Sequence, residues 1–259
     1  MLDSFDPVHT WIEFSNRLAS LPLGLATLLL AFFSFAANRN KWWIVALAWF
    51  CLLDVLTNAI MGAIVVRSGL QPGIITLHMA LAFLLIAVLV TIVWLSRANE
   101  YQQVVAKPLR KKLQIVSIIF FACLFAEGLL GSQLREHTDE LAMTAETEQE
   151  IERKQWGEQL EGTTIYKFHR SFSWSLLLTS GLLFFGARRC KDWKPVEPKL
   201  IFAMVIAMML MGVILGHVGI HGVVQVLHVA TTSVLLAVSW HWIMRLWSST
   251  STNDYQQGN

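Results

Sequence analysis

Residues 74–95 read IITLHMALAFLLIAVLVTIVWL, a run without a single lysine, arginine, aspartate or glutamate. Wound as a helix at about 1.5 Å per residue, it spans the roughly 30 Å of a bilayer's hydrocarbon core. Comparable runs occur at about 18–37, 42–66, 113–134, 169–187, 200–219 and 223–246. Only helices and closed barrels satisfy their backbone inside lipid. The runs are continuous rather than alternating, which selects helices. The fold class expected is therefore all-α: a polytopic membrane helical bundle of about seven transmembrane helices.

Composition agrees. Of 259 residues, 55% are hydrophobic and only 15% charged, with a mean hydropathy of +0.52. A soluble surface would need far more charge. The formal net charge of +2 gives no reason to expect a nucleic-acid partner. Cys51 and Cys123 lie in apolar runs and Cys190 in a basic connection, so no disulfide framework is implied. The start carries Asp3, Asp6 and Glu13, and does not read as a cleaved signal or an Arg-rich transit peptide. A bacterial cytoplasmic membrane is the simplest setting.

Charge orients the spans. Arg39 and Lys41 lie in the first connection, Arg97, Lys107, Arg110, Lys111 and Lys112 in the third, and Arg188, Arg189, Lys191, Lys194 and Lys199 in the fifth. The connection at 135–167 is instead acidic. Positive-inside bias puts the N-terminus and this loop outside, and the C-terminus in the cytoplasm. Trp42, Trp43, Trp94, Trp193, Trp242 and Trp247 then fit an inner interfacial belt. Pro72, Pro108, Pro195 and Pro198 fall in connections, and Pro22 in a first turn. A surface helix is expected in the acidic loop, capped by Thr138, with Leu141, Ile151 and Trp156 as apolar contacts; a solvated loop is the alternative.

The chain repeats itself. Met61-Gly62-Ala63-Ile64, Gly69-Leu70 and Leu77-His78-Met79-Ala80 align without gaps to Met211-Gly212-Val213-Ile214, Gly219-Ile220 and Leu227-His228-Val229-Ala230. Residues 12–17 align to 165–170 at nearly the same offset. Two pseudo-symmetric parallel repeats follow. Residues 1–97 form a three-helix unit and 98–259 a four-helix unit with the outer acidic loop.

The polar residues gather at one end. His169 opens the fifth span, and His78 and His228 lie about one turn inside the third and seventh. Neutral imidazole is a good axial ligand for heme iron, and a bundle offers facing side chains around an apolar slot. Arg17 and Arg170 are placed to pair with propionates. A lone membrane histidine more often just bonds a neighbouring helix; three at one depth, two of them repeat-related, favour heme. For His217, His221 and His241 the helix-bonding reading is kept. The spacing of His217 and His221 also permits a metal ion, although Gly216, Gly219 and Gly222 suggest a tight turn. Glu127 and Asp54 are intramembrane acids. Glu127 is read as a proton relay or propionate contact, Asp54 as a partner of Asn58 or Thr57. Gly62, Gly212 and Gly216 suggest close helix approach.

In these features the chain resembles the heme A synthase family. The matching stretches are Ile12-Glu13-Phe14-Ser15-Asn16-Arg17, Thr76-Leu77-His78, Gly131-Ser132-Gln133-Leu134-Arg135-Glu136, Phe168-His169-Arg170-Ser171-Phe172-Ser173-Trp174 and Val226-Leu227-His228. The resemblance implies two four-helix units, with heme b held by His169 and His228. It implies heme o as substrate on His78, and a carboxylate, Glu13, assisting oxidation of its methyl group to the formyl group of heme A. A heme o synthase or a terminal oxidase assembly factor is the implied partner. Two departures stand out. Asn16 occupies the other N-terminal histidine position, where His9 would substitute only if the tail folded back. The family's first helix, and the outer loop that carries a cysteine pair in some members, are not matched. A heme A synthase-like oxidoreductase is the leading expectation. A non-catalytic heme-binding assembly or delivery protein, a transmembrane cytochrome b, and a transporter or structural subunit are the alternatives.

Overall fold

A computed structural model describes residues 7–37, 41–68, 73–97, 104–144, 161–190, 193–217 and 222–251. Among these residues are seven long helices, packed as a bundle: α1 (Pro7–Ala37), α2 (Trp42–Arg67), α3 (Ile74–Arg97), α4 (Lys107–Thr144), α5 (Thr164–Ala187), α6 (Glu197–His217) and α7 (Gly222–Ser248). Six are long and apolar enough to cross a membrane. The exception, α5, has the length but carries Ser171, Ser173, Ser175, Thr179 and Ser180. Several of these hydroxyls bond the helix's own carbonyls, as Ser175 does to Phe172 O at 2.6 Å and Thr179 to Ser175 O at 2.7 Å. A polar helix is tolerated in a bundle when its groups are satisfied this way.

The helix ends correct several expectations. α1 begins at Pro7, so Pro22 lies inside it rather than in a first turn. Pro7 takes the first helical position, where a missing N–H costs little. Pro108 and Pro198 likewise sit in first turns, of α4 and α6, and not in connections. α5 starts before residue 169 because Thr163 caps it, accepting from Tyr166 N at 3.4 Å. α4 runs unbroken to Thr144, so Thr138 caps no separate surface helix; its hydroxyl donates to Arg135 O at 2.6 Å. Ile151 and Trp156 lie outside the described residues.

Packing differs between the two halves. α4 packs on α5, α5 on α6, α6 on α7, and α7 back on α4, a closed ring. α1, α2 and α3 form an open row, in which the main contact of α1 is α2 alone. α3 joins row to ring through α4 and α7. One buried cluster lies around Phe120, Leu124, Leu183, Ile201, Leu235 and Trp242, and a second around Ile44, Ala48, Cys51 and Ile92. Many large side chains elsewhere face outward, such as Phe32, Phe33 and Leu178, as a lipid-facing surface requires.

The end bearing the basic connections is closed by specific bonds. Trp94, Trp193 and Trp242 are buried there, unlike exposed Trp42, Trp43 and Trp247, so half of the expected belt is core. Trp242 Nε1 donates to Ser117 Oγ at 2.8 Å, and Trp94 Nε1 to Ser248 Oγ at 3.1 Å. Glu197, 4% exposed, pairs with Arg245 and lies 3.4 Å from His241 Nδ1. Val104 and Val105 add a two-residue parallel pairing to Thr250 and Ser251. The three cysteines are free, and burial pushes the Cys190 thiol up.

Candidate functional site

The opposite end of the bundle collects the first turns of α3, α5 and α7. His78 is the fifth residue of α3, His169 the sixth of α5 and His228 the seventh of α7. All three are partly buried. In each ring Nδ1 is sealed from solvent without a full hydrogen bond. Beyond the neighbours described below, the rings meet no further hydrogen-bond partner among the described residues.

Two of these rings have the same setting. A Cβ on Gly62 of α2 would meet His78 Cε1 at 3.7 Å, and one on Gly212 of α6 would meet His228 Cε1 at 3.9 Å. The backbone of Asn58 lies within reach of His78, and that of Met208 within reach of His228. Both pairs are separated by the offset of the sequence repeat. Gly62 and Gly212 thus admit an imidazole edge, where close approach of helices was expected.

His169 is framed from α4. A Cβ on Gly131 would meet its Cε1 at 3.4 Å, and Glu127 Oε1 lies 3.3 Å from its Nδ1. The Ser173 hydroxyl sits 2.7 Å from Glu127 Oε1 and 2.7 Å from His169 O. Glu127 is 5% exposed, and among the described residues its Oε2 has no partner. His169 and His228 are close enough to interact electrostatically. Residues from α4, α5, α6 and α7 therefore converge on this imidazole pair.

The remaining candidates are placed as follows. Arg170 is exposed at the same end. Glu13, Asn16 and Arg17 lie on α1, but their side chains are outside the described residues, as is His221. His9 also lies on α1, which continues past it as helix, so no fold-back brings His9 to the position of Asn16. Asp54 accepts from Asn58 Nδ2 at 3.3 Å, as expected, whereas Thr57 bonds Leu53 O. His217 Nδ1 lies 3.8 Å from Glu161 Oε1. At the far end His241 is taken up by Glu197 and stands edge-on to Trp94. Gly216 is pressed by Tyr166, whose hydroxyl lies 2.8 Å from where a Cβ would be.

Sequence reasoning missed Glu136. It is 7% exposed, accepting from Gly73 N at 3.2 Å and from Thr76 Oγ1 at 3.3 Å, at the start of α3. Ser132 donates to the same Thr76 at 3.1 Å, and Gly128 lies against Phe83. The spacing 128, 132, 136 marks one helical face toward α3, and 127, 131 an adjacent one toward His169. That spacing was readable; its partners were not.

Among the described residues no three or more of His, Cys, Asp and Glu are arranged to hold a bare metal ion. Heme iron asks less, because the macrocycle supplies four ligands and the protein one or two. Two neighbouring imidazoles on separate helices, each with an Nδ1 short of a full hydrogen bond among the described residues, fit that demand.

A family profile described as cytochrome oxidase assembly protein matches residues 1–240. The chain belongs to this family, that of the heme A synthases. Membership carries a general role in cytochrome oxidase assembly, and a membrane setting in keeping with the six apolar helices. No curated protein sequence matches the chain, and no solved structure does.

Proposed function

We propose that this member of the cytochrome oxidase assembly family is a heme A synthase-like membrane oxidoreductase. In this reading His169 and His228 would hold a resident heme b, and His78 the substrate, heme o. Bound heme b supplies one-electron redox chemistry. The protein's own part is to bind and orient. His78 would be seated by Gly62, Arg17 and Arg170 would pair with propionates, and Glu13 would assist oxidation of the methyl group to a formyl, with water supplying the oxygen and an external acceptor taking the four electrons. The observation that carries the reading is the convergence of His169 and His228, from α5 and α7, as neighbouring imidazoles without a full hydrogen bond.

A second reading has its own support. Asn16 stands at the repeat position of His169, and α1 packs chiefly on α2. Both features favour a non-catalytic heme-binding assembly or delivery protein of the same fold. Co-expression of the full chain with a heme o synthase, followed by separation of extracted hemes, tests the two. Heme A beyond the background of the host is expected. Purified protein carrying only heme b would establish the second reading, and protein with no Soret absorption would overturn both.

A further inference from the structure

Glu127 lies at the level of the imidazole pair, and neither a propionate contact nor a proton relay accounts for its neighbours. Its Oε1 is 3.3 Å from His169 Nδ1 and 2.7 Å from the Ser173 hydroxyl. Ser173 also reaches the carbonyl of His169 one turn back, so it ties the carboxyl to the turn that bears the histidine. Glu127 and Gly131 are one helical turn apart on α4, and Gly131 abuts His169 Cε1. The carboxyl therefore meets the ring on its δ side.

We propose that Glu127 is a positioning residue for His169, its carboxylate accepting the imidazole Nδ1–H and so directing Nε2 to the iron. The inference rests on the heme reading above and adds to it a carboxylate–histidine–iron arrangement. Such an outer acceptor fixes the tautomer, holds the ring plane and makes the imidazole a stronger donor. The two axial ligands become unequal. Among the described residues the hydrogen-bonding group within reach of the His228 ring is the Met208 backbone, and of the His78 ring the Asn58 backbone, with no carboxylate at either. A ligand of raised basicity and a nearby negative charge both stabilise ferric iron, lowering the midpoint potential.

The test uses the full chain purified in detergent with its heme, and reads the midpoint potential and the ferric low-spin spectrum. Glu127→Gln is close in size and removes the charge. It is expected to keep the two-histidine spectrum while shifting the potential upward. Glu127→Ala also removes the acceptor, and is expected to weaken heme binding by about 10-fold or more. Should Glu127→Gln not accumulate in the membrane, Glu127→Asp carries the test. It keeps the charge with a shorter reach, so a smaller upward shift is expected. Wild-type protein with heme, and a potential unchanged in the variant, would overturn this inference alone: the carboxyl would then be neutral or turned from the ring. Wild-type protein without heme would overturn the heme reading, and this inference with it.

Discussion

His78 and His228 occupy the same place in two hairpins, and the comparison separates what a hairpin provides from what the bundle adds. Each histidine sits in the first two turns of its helix. Each leans on a glycine of the preceding helix, Gly62 or Gly212, with a backbone segment four residues before that glycine within reach. Beyond this half-site the two differ. His228 lies within electrostatic reach of His169, which α4 frames through Gly131 and Glu127. On the other side α1 has α2 as its main contact, and among the described residues no helix stands to α1 as α4 stands to α5. The hairpin seats one imidazole; a second ligand of fixed direction needs the framing helix.

The largest expected effect tests that inequality. His228→Ala should remove most of the heme b from purified protein, as should His169→Ala, because either loss uncovers one face of the iron. His78→Ala should leave this heme in place. Heme-to-protein ratios from the pyridine hemochrome spectrum decide the matter. Equal loss in His78→Ala and His228→Ala would mean that the two half-sites share a single heme, and the comparison would collapse.

A smaller effect is expected at the seam between row and ring. Gly128 of α4 lies so close to Phe83 of α3 that an added Cβ would come within 2.5 Å of its ring. Phe83 is itself buried and stands edge-on to Phe125, 5.9 Å away, so the ring has little room to move. Gly128→Val should therefore destabilise the protein by about 1–3 kcal/mol, the usual cost of overpacking. Thermal unfolding in detergent would show it. If the row is an independent unit, heme b at His169 and His228 should survive the change. Parallel loss of that heme would show that the ring depends on the row.

How far these features were legible follows from the kind of signal each one leaves. The spans are written in composition, since lipid demands long apolar runs, and the histidine pair is written in the repeat. Asp54 with Asn58 was readable because both lie on one helix, four residues apart. Glu127 with His169 was not, because its partner is on another helix and rotation about a helix axis is not encoded locally. Thr138 misled for a related reason. A threonine before acidic residues is a good cap, yet α4 simply continues through it, and helix continuation outweighs a cap preference of about 1 kcal/mol. The tryptophans at the basic end follow the same logic. Sequence gave their depth, while burial of Trp94, Trp193 and Trp242 depends on which neighbour each indole meets.

The smallest effect concerns Glu136, which bears on one of the two histidine hairpins and not the other. Its two oxygens accept from Gly73 N and Thr76 Oγ1, so an acid on α4 completes the start of α3. A carboxylate at a helix N-terminus satisfies donors that the helix itself cannot, and meets the positive end of its dipole. Glu136→Ala should cost about 1 kcal/mol, the typical value for a lost cap. The cost should be local, since His78 lies five residues beyond Gly73 while His169 and His228 are on other helices. Hydrogen exchange offers the measurement. Faster exchange of the amides at 73–77, with the first turn of α7 unchanged, is expected. Equal acceleration at both helices would mean that the ring also relies on Glu136, and that α4 frames the two histidine sites together rather than one of them.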